Sequence, residues 1–417
     1  MQLIIFSLAD KPESMSDIKV NLPPEEKLLL SLCRLDFSDL QKSEVRLLMK
    51  EVRDWDRFVR LSNEHGIIAL AWHNITGTGN AGYMPSENLA ILQKAYYKSL
   101  ARTTYLYDRL SGILELARDV DIRVVLLKGM ALERTIYGNR GLRQMTDIDI
   151  LVREDDVLKL RKILMMNGFR SEPFKSPLYR YLIPYLNTHI PRLTKADCHV
   201  EIHYKLFDQP DNTLTEKVRR LSVPLKLNDH EAFVPPPRLF FLYLISHLSH
   251  HRQGGDSQLR QYTDIYLLLC DRYDEIMDDD LISQAREANM ERELAVMLYI
   301  LRNFWDVSFP SWINDFIAGY DLSTEAGKFS RFISRPKDNP DKQVSLKYVK
   351  QLKVLPGPGK KALYIAGFFF PSLAFMKKRY RTRTVWGAIA NYPVRWVRSV
   401  GVLLQNMMKQ DTGRRGQ

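Results

Sequence analysis

Two stretches decide how the chain is read: residues 122–138, IRVVLLKGMALERTIYG, and residues 147–152, DIDILV. The run from Ile122 to Leu127 is β-branched and aliphatic, the pattern of a strand buried on both faces. It ends at Lys128-Gly129, and MALERTIY follows as one to two helical turns closed by Gly138. Residues 147–152 predict a second strand, with Asp147 and Asp149 projecting from one face and Ile148 and Ile150 from the other. Two carboxylates on one face repel each other and raise a pKa unless a cation neutralises them. Mg²⁺ suits that arrangement, being a hard ion that takes oxygen ligands and shares them with substrate phosphates.

Outward from this pair, Glu154 and the two aspartates after it start an amphipathic helix through Leu164, closed by Gly168. THIPRLT (188–194) and CHVEIHYKLF (198–207) flank a short Lys-Ala-Asp turn and predict a hairpin. On its second strand His199, Glu201 and His203 share one parity, so Glu201 is placed to supply a third carboxylate. Residues 119–235 thus form a small α/β core. The flanks have helical patterns: Pro24 with Glu25 and Glu26 opens one helix, Ser43 with Glu44 starts another, and Glu87 to about Ala117 is a long amphipathic stretch. VPPPRL (234–239) is a stiff connector into a further helical segment. The divisions are a helical region at 1–118, the core at 119–235, a helical domain at 236–355 and a basic, aromatic tail at 356–417. Acids on alternating strands often mark nothing more than a wet face. The Lys-Gly turn upstream and the third carboxylate downstream argue for a site instead.

The series LLKGMAL, Arg143 with TDIDILV, NGF, and His189 with VEIHYKLF resembles the nucleotidyltransferases of the DNA polymerase β superfamily. It looks most like the bacterial branch called uncharacterised nucleotidyltransferase. The resemblance is carried by about residues 120–207. It implies an α+β fold, a small mixed-sheet nucleotidyltransferase core flanked by N-terminal and C-terminal helical regions. It implies that Asp147 and Asp149 hold Mg²⁺ on a nucleoside triphosphate, with Glu201 joining them at a second metal or activating the acceptor hydroxyl. The reaction would be in-line displacement at the α-phosphorus with pyrophosphate leaving. Lys128, Gly129, Met130, Arg143 and His203 would line the nucleotide: backbone amides at the helix start donate to phosphate, and Lys128 and Arg143 neutralise it. For the two cations the plain alternative is a solvated surface position, and for His203 a structural histidine or a hydrogen-bond partner of Glu201. The usual Gly-Ser after the first strand is here Lys128-Gly129 followed by Met130, as in that branch. Two readings follow. One is an NTP-dependent transferase whose acceptor is a protein, small molecule or glycan; the other is a catalytically silent binding protein that keeps the fold.

His247, His250 and His251 stand at helical spacing, with Arg260 and Asp264 beyond. The adjacent His-Asp pair of a metal phosphohydrolase is missing, so a structural helix end is the simpler reading, with Arg260 pairing Asp264. No P-loop, GxSxG or HExxH motif occurs, and no specific nucleic-acid motif. Cys33, Cys198 and Cys270 show no CxxC spacing and fit a reducing compartment. The N-terminus lacks a basic n-region, and the longest apolar run holds Gly367 and Pro371. The expectation is a cytoplasmic protein, membrane-peripheral through its tail. The formal charge is +12. From Asp341 to Gln417 sixteen Lys and Arg stand against two acids, a net of +14, while the preceding 340 residues sum to −2. The basic excess therefore belongs to the tail, where it is interleaved with aromatics. That suits either an anionic membrane surface or a packed helix with a solvated basic face.

Overall fold

The apolar runs at 122–127 and 148–151 lie side by side within a mixed sheet. The computed structural model describes residues 22–182, 185, 188–207, 212–335, 352 and 355–398. They fall into two compact units interleaved along the chain. One comprises Met1–Thr104, Leu132–Met145 and Pro237–Asp338, the other Tyr105–Ala131, Thr146–Pro236 and Asn339–Gln417. The helix Ser86–Arg118 contributes to both.

The second unit carries the sheet. Its strands are β1 (Val125–Leu126), β2 (Ile148–Leu151), β3 (Arg170–Ser171), β4 (Leu193–Lys195), β5 (Cys198–His203), β6 (Val223–Leu227) and β7 (His230–Val234), in the order β3-β4-β5-β2-β1-β7-β6. β2 runs parallel to β5 and β1 parallel to β7, and the remaining neighbours are antiparallel. β1 is shorter than its apolar run. Its ladder is nonetheless extended by Phe233 N–H to the Val124 carbonyl and Leu127 N–H to the Asp149 carbonyl, both at 3.0 Å. The helix Glu154–Met166 begins and ends as its acidic first turn and Gly168 (φ +87) require, burying Val157, Leu160 and Leu164. Before β2, residues 128–138 form the helix Lys128–Leu132 and a π turn Glu133–Tyr137, closed by Gly138 at φ +62. The β4–β5 hairpin is as its pattern predicts, turning through Ala196 at φ +48.

The first unit is helical, with Phe58, Phe241, Tyr262 and Phe329 fully buried. One expected helix start is corrected: the helix begins at Asp39, not after Ser43-Glu44. Ser38 and Gln41 form a capping box whose N-cap lies five residues upstream of Ser43 and satisfy the first amides.

The described part of the tail folds as helices Gly357–Phe369, Leu373–Tyr380 and Val385–Ala390. Residues 399–417 lie outside the described residues. The first helix packs on the 3₁₀ turn Pro177–Leu182, where Tyr179, Leu182, Leu355 and Tyr364 form a small core. The Tyr179 and Tyr364 rings stack at 5.4 Å. Gly367 is required by close approach: a Cβ there would run into the Tyr179 ring, with the Ser176 Cβ 3.2 Å away. Gly367→Ala is expected to destabilise this unit by about 1–3 kcal/mol through overpacking, read as a lower thermal midpoint.

Lys175 sits against the Phe368 and Phe375 rings in this layer, at 5.0 and 5.9 Å. Burial, then the Arg395 and Arg379 guanidinium groups, push its ammonium down to about 7. The unfolded chain therefore binds the extra proton between pH 7 and the ordinary lysine value, and stability rises with pH across that window. Lys175→Met is expected to flatten that rise and to be the more stable protein below pH 7, as checked by urea unfolding at several pH values.

Candidate functional site

The parallel register of β2 and β5 builds the site. Asp149 is the Cα partner of Glu201, and His203 follows two residues on, facing Leu151 in the register. Period two in β5 keeps Glu201 and His203 on one face, and the register brings that face to Asp149. Asp149, Glu201 and His203 each offer a ligand atom, all lying within 4.8 Å of one another. Among the described residues this is the group of His, Cys, Asp and Glu able to hold a metal ion; the His247–His251 helix end forms none.

Lys128 completes the cluster. Its Nζ donates to Asp149 Oδ1 at 2.7 Å and lies 3.9 Å from Glu201 Oε2. The turn after β1 puts the ammonium there, and the left-handed residue of that turn is Lys128, at φ +45, not Gly129. A long side chain in that region costs roughly 1–2 kcal/mol, and such strain tends to persist at functional positions. His203 Nε2 is 3.0 Å from Asp149 Oδ1 and 3.7 Å from Glu201 Oε2. Neighbouring His189, bridged to His203 between the strands, places its ring 5.1 Å away.

The electrostatics sort these groups. Burial alone would raise the Asp149 carboxyl, but the Lys128 ammonium and hydrogen bonds from His203 and Lys128 outweigh it and hold the pKa well below the carboxylate range. Burial, then the Asp149 and Asp147 carboxylates, push Glu201 up, against His189 and Lys128. Burial and Lys128 hold His203 down to about 3. At neutral pH His203 is therefore uncharged. Its Nε2–H donates to Asp149, while Nδ1 is buried with no hydrogen-bond partner among the described residues. The site holds a buried carboxylate, a carboxyl with raised proton affinity and one bound ammonium.

Not every expected residue gathers here. Asp147 precedes β2 at a half-buried position, accepts from the Thr146 hydroxyl and adds its charge to Glu201, but it stands outside the group of three. Gly129 and buried Met130 lie in the helix Lys128–Leu132. Arg143 belongs to the helical unit. There its Nε and Nη2 donate to the two oxygens of Asp264 at 2.8 and 2.6 Å, and Tyr137 donates to the same carboxylate at 2.9 Å. The expected Arg260–Asp264 pair is thus replaced. Arg260 donates to the Gln144 carbonyl and the Gln258 side chain. The direct bond from His203 to Asp149 was legible only as shared parity with Glu201.

A family model described as an uncharacterised nucleotidyltransferase matches residues 51–306, more than half of the chain. No curated protein matches it.

Proposed function

Because the chain belongs to the uncharacterised nucleotidyltransferase family, we propose that it moves a nucleoside monophosphate from a triphosphate to an acceptor hydroxyl, releasing pyrophosphate. The observation that carries this reading is the group Asp149, Glu201 and His203 with the Lys128 ammonium bound to it. The donor set fits a divalent cation. Burial and then the neighbouring carboxylates raise the Glu201 proton affinity, and His203 Nδ1 is buried with no hydrogen-bond partner among the described residues. Asp149 and Glu201, with Asp147, would hold Mg²⁺ ions. Such ions neutralise the triphosphate and the charge that develops on the attacking and leaving oxygens.

The chain's own groups do the rest. His203, neutral and donating to Asp149, fixes the orientation of that carboxylate. Lys128 holds a positive charge at the carboxylates and would turn it to phosphate oxygens when nucleotide enters. Amides at the start of the helix Lys128–Leu132 donate to the same phosphates. Glu201 either joins Asp149 in holding the cation or, with the raised proton affinity it has without one, takes the proton of the acceptor hydroxyl. A second reading, a silent binding protein, draws on the same ammonium, which already neutralises Asp149 without any metal.

The test incubates the whole chain with each α-labelled triphosphate, Mg²⁺ and cell extract, using Asp149→Asn as control. Labelled acceptor and pyrophosphate from the wild type alone support transfer. Triphosphate binding without turnover in either protein selects the silent reading.

A further inference from the structure

The tail also has a surface that the nucleotide site does not use. Residues 355–398 contain nine Lys and Arg and no Asp or Glu. Lys361, Lys378, Arg379, Arg381, Arg383 and Arg398 are exposed. Large apolar groups stand among them: Trp386 is 79% exposed, Val397 74% and Phe370 58%. An open groove of about 600 Å³ runs between Ala362, Ile365, Ala366, Phe369, Phe370 and Trp396. Scattered exposed apolar residues are ordinary, but an open apolar groove on a segment whose charges are all of one sign marks an interaction surface.

The helices below it are fastened, so the patch is a built surface and not a frayed end. Ser372 caps Leu373–Tyr380 and also donates to the Phe174 carbonyl. Trp396 Nε1 donates to the Phe369 carbonyl at 2.7 Å, and Arg395 Nη2 to Phe368 at 3.1 Å. Little charge opposes the cations from beneath. Glu172 pairs with Lys378 at 3.2 Å and lies 3.6 Å from Arg192, while buried Arg395 presses on Lys175. No helix among the described residues is long and apolar enough to cross a membrane.

We propose that residues 355–398 are an interfacial docking surface for a bilayer containing anionic phospholipids. The exposed Trp386, Val397 and Phe370 enter the headgroup boundary, and the Lys and Arg rim meets the phosphates. Charge complementarity selects this occupant. Nine cations without an acid give a field that a neutral protein surface would not balance, and indole and phenyl groups between them suit a half-wet boundary.

Flotation of the whole chain with phosphatidylcholine vesicles, alone or with one third phosphatidylglycerol, tests it. Binding to the anionic vesicles only, weakened by salt, is the expected result. Arg379→Gln, Arg381→Gln and Arg383→Gln together should lower partition roughly 100-fold, at about 1 kcal/mol or fivefold for each cation removed. Trp386→Ser with Val397→Ser should lower it at unchanged charge. These side chains are exposed, and unchanged thermal melts of both variants show that lost binding is not lost folding. Equal binding to neutral vesicles, no binding, or full competition by a polynucleotide overturns the proposal. So does a wild-type dimer that the Trp386 variant splits while vesicle partition stays the same.

Discussion

Asp149→Asn is expected to reduce nucleotidyl transfer by roughly three orders of magnitude, the scale of losing one preorganised electrostatic partner of the reacting phosphate. The substitution keeps shape and one acceptor oxygen but removes the charge that Lys128 and His203 hold at 2.7 and 3.0 Å. Its folding cost should be about 1–3 kcal/mol, because the Lys128 ammonium keeps Glu201 as a more distant partner. Calorimetry with Mn²⁺ or Mg²⁺ separates the chemistry from stability: the variant should bind the metal at least tenfold more weakly while its melt remains cooperative. Lys128→Met gives the complementary arm. If the ammonium and a divalent cation compete for the same carboxylates, metal alone binds Lys128→Met more tightly than wild type, while triphosphate binds it more weakly. Metal affinity that is unchanged in both variants would remove Asp149 from the metal site and leave its ion pair with Lys128 as a structural feature.

How much of this was legible beforehand follows from what each signal encodes. The β2 and β5 patterns were readable because acids and aliphatics alternate at 147–150 and the buried positions of β5 alternate over its first four residues. Asp149, Glu201 and Lys128 came with them, since strand parity and a turn are local properties. The hairpin β6–β7 was missed although Asn228-Asp229 is a turn dipeptide and Asn228 takes φ +53. Pro224 argues against an inner strand, yet β6 lies at the edge of the sheet, where a missing N–H does no harm. Pairing across long separations was out of reach. Nothing local tells His203 that it will meet a carboxylate 54 residues away, since the parallel register of two strands decides it. Arg143 shows the same limit more sharply. The family resemblance suggested phosphate, whereas the fold pairs it with a carboxylate 121 residues distant.

That pair supplies the largest expected effect on stability. Arg143 and Asp264 are 7% and 2% exposed, joined by two hydrogen bonds of 2.8 and 2.6 Å, and Tyr137 donates a third to the same carboxylate. Two buried charges are tolerable because each satisfies the other, and the planar guanidinium matches both carboxylate oxygens at once. Asp264→Ala removes the anion, leaves a buried guanidinium and strands the Tyr137 hydroxyl. A loss of about 3–5 kcal/mol is expected, measured as a shift in the denaturant midpoint. Arg143→Met should cost a similar amount by leaving the Asp264 carboxylate buried. The double variant Arg143→Met with Asp264→Leu should recover much of the loss, because neither charge is then left in the interior without its partner. Additive losses in the double variant would mean that the two side chains stabilise the helical unit through separate contacts. Recovery of folding would free Arg143 for a second measurement. A folded double variant that still binds triphosphate at wild-type affinity assigns the arginine to the architecture, and a tenfold loss at full stability returns it to the nucleotide.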